Sequence, residues 1–380
     1  MRKKGLIAII VLQLIFVFGV FNTLASDGEV WISVAGPFTG DAAMYGSYFK
    51  KGAETAAEWV NDQGGIKNKT LKIQFEDDKL SPQESSMVAS KLCRATKILA
   101  VVGHISSTQN LAAIPIYQKC SLVTINASAT LPKLSGISPF WFRNVVSEDY
   151  MNEVLVKYAI SEFKPKSTAI LYLVSDAFIS GAEKFKKTME KNGIKVVAFE
   201  SHQPNEKDFV ATLTKVQPLN PDLMFIMTTY PEAAMIMKQA REMGIKSQFI
   251  GPEPLYSPKL PELGGSATDG TVSVGYFHVQ MASDNTKEFI KRYKQKFNEE
   301  PELYGMAIAD SVLLAAEAFK KYGANREAPK KYLESLGIQN PFLGIAGPIS
   351  FDKNHDLLPK PLALVKVENG KWLFIRASEL

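Results

Sequence analysis

Cysteine, histidine and net charge are all scarce in this chain, and each shortage removes a class of function. Among 380 residues there are two cysteines, Cys93 and Cys120, and four histidines. No cysteine or carboxylate stands at nucleophile or metal-ligand spacing beside His104, and His202, His278 and His355 are scattered singly. Structural roles are expected for them, and no metal or other cofactor is called for. Three basic residues sit at the extreme N-terminus; without them 41 basic side chains face 39 acidic ones. A chain that close to neutral has no electrostatic footprint for a nucleic acid. Enzyme signatures are missing too. Gly36 and Gly40 do not make a dinucleotide Gly-x-Gly-x-x-Gly, and there is neither a P-loop nor a Gly-x-Ser-x-Gly elbow. A binding protein rather than an enzyme is expected. No long stretch is rich in Pro, Gly or Ser, so any domains are joined by short crossovers able to act as a hinge.

What is present begins with an address. Arg2, Lys3 and Lys4 precede an uncharged apolar run from Gly5 to Phe21, followed by small residues through Ala25 and Ser26. Residues 1–25 therefore read as a secretory signal peptide, with an uncleaved membrane anchor as the alternative. A periplasmic location follows from the first reading. The remaining length is generous for one core, so two domains are expected.

Past the signal, strands and helices alternate. Val30–Ala35, Leu71–Phe75, Ile98–Val102 and Leu122–Ile125 are short apolar runs, with helix-period segments at 44–61, 82–96 and 110–118 between them. The pattern restarts after Val146: a helix at 150–162, a strand at 168–174, an amphipathic helix to Asn192, then further units to Ile250. Such alternation argues for parallel sheets with helices on both faces and ligand groups at the carboxyl ends of the strands. The last section adds helices at 285–297 and 304–322 and a hairpin around Glu368-Asn369-Gly370. Cys93 and Cys120 each end a predicted helix just before a strand; a disulfide and two buried thiols are both compatible with that spacing.

The stretch Val101–Thr130 carries the chemistry. Ser106, Ser107 and Thr108 stand where a strand gives way to a helix, and Ser128 and Thr130 follow the next strand. Small hydroxyl residues at helix starts, beside exposed backbone N–H groups, form a cradle for a carboxylate or phosphate. Simple N-capping is the plainer reading of the same residues. Asp77 and Asp78 read as turn caps rather than an acid/base pair, because neighbours on a strand end point to opposite sides.

In order along the chain come Ala35-Gly36-Pro37 through Tyr45-Gly46, Asn61-Asp62-Gln63-Gly64-Gly65-Ile66, Asp77-Asp78 with Pro82, Gly103 with Ser106-Ser107, Ala129-Thr130, Gln239-Ala240-Arg241 with Gly244, and Gly251-Pro252-Glu253. As an ordered set these resemble the leucine/isoleucine/valine-type solute-binding proteins of ABC transporters, over essentially the whole mature chain. The resemblance implies a type I periplasmic binding protein: two doubly wound α/β lobes joined by a multi-strand hinge. It places lobe 1 at 27–147 plus 276–352 and lobe 2 at 148–275 plus 353–380. The ligand it implies is a small apolar amino acid, and the partner a membrane permease served by a monomeric receptor; amide, urea-like and aromatic acid solutes, or a soluble sensing role, are alternatives.

Residue by residue, the resemblance implies that Ser107 and Thr130, with Ser128 nearby, hold the α-carboxylate and that Glu253 holds the α-ammonium. Tyr45 matches a tyrosine of the first loop, and Tyr150, Phe178 and Tyr230 match the wall of the second lobe. Two departures fall on that wall: Phe178 stands where relatives carry a hydroxyl-bearing aromatic, and Thr229-Tyr230 replaces Gly-Tyr.

Overall fold

The computed structural model describes residues 28–40 and 42–379; the expected signal peptide lies outside the described residues. Among the described residues no helix is long and apolar enough to cross a membrane.

In chain order the elements are β1 (Glu29–Gly36), α1 (Ala43–Asp62), β2 (Thr70–Asp77), α2 (Pro82–Arg94), β3 (Ile98–Gly103), α3 (Ser107–Lys119), β4 (Thr124–Asn126) and β5 (Trp141–Arg143). Then come α4 (Glu148–Phe163), β6 (Ser167–Leu173), α5 (Asp176–Lys191), β7 (Lys195–His202), α6 (Val210–Val216), β8 (Leu223–Met227), α7 (Tyr230–Glu242), β9 (Gln248–Ile250), α8 (Lys259–Gly264) and β10 (Val272–Gly275). The chain ends with α9 (Asp284–Phe297), α10 (Leu303–Tyr322), α11 (Glu327–Leu333), β11 (Phe342–Gly344), β12 (Gly347–Ile349), β13 (Ala363–Glu368) and β14 (Lys371–Ala377).

Local chemistry accounts for these boundaries. Val30, Ile32 and Val34 of β1 are buried together with Ala35, as a strand covered on both faces demands. On α1, Phe49, Ala53, Ala56, Ala57 and Val60 recur at helical spacing on the buried face. Ser81 caps α2 by accepting from the backbone N–H of Glu84, with Pro82 at the first helical position. Asn369 and Gly370, with φ of 50° and 72°, form the tight turn that pairs β13 with β14.

Two sheets result. The first has the order β2-β1-β3-β4-β5 and is parallel throughout. The second has the order β14-β13-β10-β9-β8-β6-β7; it is parallel from β10 to β7, and β13 and β14 add an antiparallel edge. Each with its helices forms one doubly wound lobe. Helices α9 and α10, although late in the chain, pack on α1. There α1 and α10 meet backbone to backbone, since a Cβ added at Gly52 would lie 2.1 Å from the carbonyl oxygen of Gly305.

In both sheets the strand order reverses beside the first strand used, between β1 and β3 and again between β6 and β8. Loops diverge at such a switch point and leave a crevice at the carboxyl ends of the strands. Three crossovers, at 144–147, 276–283 and 350–362, connect the lobes. Arg143, the last residue of β5, ties the start of the first to the third. Its Nε donates to Asp356 Oδ1 at 2.9 Å, its Nη1 to the carbonyl of Leu131 at 3.0 Å, and its backbone N–H to the carbonyl of His355.

Candidate functional site

The crevices of the two lobes face each other across a cleft of about 500 Å³. One wall is built on the ends of β3 and β4, and its shape is set by one side chain, Asn126, which is fully buried. Its Nδ2 donates to the carbonyls of Gly103 (3.2 Å) and His104 (2.8 Å) and to Asn110 Oδ1 (3.1 Å). Its Oδ1 accepts from the N–H groups of Ser128 (3.0 Å) and Ala129 (2.6 Å). Both cradle loops are thus pinned to one amide. Behind them His104 Nδ1 lies 2.6 Å from Asp78 Oδ2 and its Nε2 3.1 Å from the Tyr117 hydroxyl, a buried structural chain.

The hydroxyls on this wall differ in what they have left to offer. Ser107, at the start of α3, accepts from the backbone N–H of Leu131 at 3.3 Å, which leaves its own proton to donate. Ser128 has spent its proton on the carbonyl of Ile105 at 2.6 Å. Thr130 has only a 3.5 Å approach to Glu148 Oε2.

The facing lobe contributes Glu253, which follows Gly251-Pro252 beyond β9 and is 4% exposed. Tyr304, on α10, donates its hydroxyl to Glu253 Oε2 at 3.3 Å, across the cleft. Burial pushes the Glu253 carboxyl up to about 8 against the opposing pull of the Tyr304 hydrogen bond, and Glu302 adds to the rise. A second buried carboxyl, Glu148, opens α4 and is 3% exposed. Its Oε1 has no hydrogen-bond partner in the protein, and burial lifts this group to about 8 as well, with the Ser180 hydroxyl pulling the other way. Between these groups the lining is mixed: Leu80, Pro82, Ile105, Met151, Leu173, Ala177, Phe178 and Met227 are apolar, and Ser106, Thr108, Gln109, Ser175 and Thr229 are polar.

Of the residues expected from the sequence, Tyr45, Ser107, Ser128, Thr130, Phe178 and Glu253 all line this one cleft. Tyr45 packs edge-to-face on Tyr304 with ring centroids 5.4 Å apart. Tyr150 and Tyr230 sit off its wall. Tyr150 turns toward the third crossover and donates its hydroxyl to the carbonyl of Lys360 at 3.0 Å. Tyr230 packs on the second lobe but reaches toward the first, with its hydroxyl 3.2 Å from Met44 Sδ. It lines a small adjoining pocket that shares Tyr45, Glu253 and Tyr304 with the cleft, and its neighbour Thr229 takes the place on the cleft wall. One residue of helical phase separates the two outcomes. Glu148 and Tyr304 are cleft residues that the sequence reading omits. The acid at the first turn of α4 reads as a helix-dipole partner, and Tyr304 blends into an apolar helical stripe. Cys93 and Cys120 are joined, with Cα atoms 5.7 Å apart.

A cleft with a hydroxyl donor at a helix start and the Glu148 carboxyl beside Thr130 on one side, and the Glu253 carboxyl on the other, is suited to grip a small molecule carrying both charges. Known proteins of similar sequence fit that chemistry. A Leu/Ile/Val-binding protein homologue from Brucella suis is 28% identical over 353 residues, covering 91% of this chain and 94% of that protein. A leucine-, isoleucine-, valine-, threonine- and alanine-binding protein from Pseudomonas aeruginosa is 28% identical, covering 88% of each chain. Among solved structures, a branched-chain amino acid transporter substrate-binding protein from Streptococcus pneumoniae in complex with isoleucine superposes with a TM-score of 0.83 at 26% identity, covering 92% of this chain and 99% of that one. The sequence profile of the periplasmic binding protein family matches residues 29–371, so by sequence, sheet topology and cleft alike this chain belongs to that family.

Proposed function

We propose that the chain is an extracytoplasmic receptor of an ABC importer that closes on an apolar α-amino acid and hands it to the membrane permease. The observation that carries this reading is the meeting of a hydroxyl cradle and two buried carboxyls, Glu253 and Glu148, in one cleft whose walls also carry a set of apolar side chains. The ligand's carboxylate accepts from Ser107 at the start of α3, where the helix dipole adds roughly 0.3–1 kcal/mol, and from Thr130 on the loop after β4. Its ammonium, with three donors to place, meets Glu253 and the free Oε1 of Glu148. Arrival of the cation lets both carboxyls ionise in a dry site. Closure is favoured because the ligand touches both lobes at once.

The lobes in this proposal comprise 27–147 plus 276–352 and 148–275 plus 353–380, the packing of α9 and α10 on α1 and the pairing of β13 with β10 supporting that division. Residues 1–25 serve as the export signal, in keeping with the family's periplasmic setting. An acid without the amine leaves both carboxyls uncompensated, so the amino acid reading is preferred to an aromatic acid. Titration calorimetry with leucine and with its deaminated analogue tests this: heat with leucine alone is expected, and equal affinity for the deaminated acid refutes the assignment. Native mass spectrometry of the purified protein identifies any solute that it carries.

A further inference from the structure

The head-group residues account for only part of the cleft. An amino acid's carboxylate and ammonium lie on adjacent atoms, so Ser107, Thr130, Glu148 and Glu253 gather round one end. The remaining lining mixes apolar side chains with Ser106, Thr108, Gln109, Ser175 and Thr229, and the volume of about 500 Å³ holds roughly seventeen groups of water size at about 30 Å³ each. Valine brings about half that number of heavy atoms and leaves much of the wall without a contact, whereas an aromatic amino acid fills most of it. Unfilled apolar wall forfeits dispersion and burial alike.

The chemistry of that wall points the same way. Phe178 offers a ring face for edge-to-face or offset packing. Met151 and Met227, both 2% exposed, place polarizable thioethers at the same surface, and sulfur packs favourably against aromatic edges. Ala177 leaves room beside Phe178. Tyr230, which would bring a phenol into this compartment, is held away on Met44, and Thr229 takes up less space. Polar side chains border this stretch, but Thr229 is already committed to Glu232 and Glu148 belongs to the head-group end, so the surface that Met151, Met227 and Phe178 offer a ring is apolar.

From this we infer that the cleft selects an α-amino acid with an aromatic side chain over the branched aliphatic ones, with Ala177, Phe178, Met151 and Met227 as the residues that set the preference. The inference rests on the amino acid reading of the site. Its test is calorimetry of the full mature chain with L-valine, L-leucine, L-phenylalanine and L-tryptophan, and of the variant Ala177→Leu with the same series. In the wild type, phenylalanine or tryptophan is expected to bind at least tenfold more tightly than valine. In Ala177→Leu the aromatic affinity falls tenfold or more, by a clearly larger factor than valine affinity, and an unchanged melting temperature of the ligand-free variant certifies a folded protein. Valine or leucine equal to or tighter than the aromatic ligands in the wild type overturns the preference. Equal loss for all ligands in Ala177→Leu overturns the assignment of this wall as the selective one. If no amino acid of the series binds the wild type, the proposed function itself fails, an outcome distinct from either.

Discussion

Ser107 and Ser128 are both small hydroxyl residues on one wall, yet their hydrogen bonds give them different duties. Ser107 accepts from Leu131 and keeps a proton for a ligand, while Ser128 has given its proton to Ile105. Ser107→Ala should therefore remove one charge-assisted hydrogen bond, about 1.5–3 kcal/mol, and weaken amino acid binding roughly ten- to a hundredfold in calorimetry. Glu253→Gln should cost at least tenfold, because the neutral amide meets the ammonium without a countercharge; unchanged affinity in both variants removes the site. The sequence made Ser107, Thr130 and Glu253 legible because hydroxyls at a strand-to-helix turn and an acid after Gly-Pro keep their chemistry wherever the chain goes. It could not tell Ser128 from Ser107, since that difference lies in partners 23 and 24 residues away. Nor could it place Tyr230, whose direction turns on the phase of α7, or find Glu148, whose function depends on what stands across the cleft.

At the scale of elements, the alternation of strands and helices was readable because the apolar runs end in Gly, Ser, Asn, Asp or Thr before a helical period begins. The short pieces were not: β5 and β11 have three residues each, too few to show a period, and hold their places through neighbours. The Cys93–Cys120 bond joins the C-terminal ends of α2 and α3, across a sequence separation of 27 residues. Arg326 reinforces that corner by donating to the carbonyls of Cys93, Ala95 and Ile98. Loop-closure entropy gives such a bond about 3.5 kcal/mol in the chain-entropy account. Reduction, or Cys93→Ser with Cys120→Ser, should lower the urea midpoint accordingly. Affinity for the ligand should hold, because the bond lies at the opposite end of β3 and β4 from the cleft. A loss of affinity without loss of stability contradicts this.

The whole molecule carries the pH behaviour. Glu253 and Glu148 both sit at about 8 in the folded protein against an ordinary 4.5. Between those values the native state holds protons that the unfolded chain has released, so stability falls as pH rises through that window. A bound ammonium compensates both carboxylates, so the gain in melting temperature on adding ligand should be larger at pH 8.5 than at pH 6, where roughly neutral acids need no partner. Differential scanning fluorimetry at the two values, with and without ligand, measures it. In Glu253→Gln the dependence should shrink; a ligand-induced shift that is the same at both values argues against buried acids meeting the cation.

The packing of Gly305 on Gly52 and the pairing of β13 with β10 have a consequence in time. A chain made from its N-terminus lays down the first sheet within 143 residues but lacks the helix that covers α1 until residue 303, and the second sheet waits for its edge until residue 363. Neither core can be sealed by local contacts alone, so each lobe bears the loop-closure cost of long-range partners before it gains their burial. Anything that handles the chain in linear order meets an unfinished protein until almost the last residue has passed.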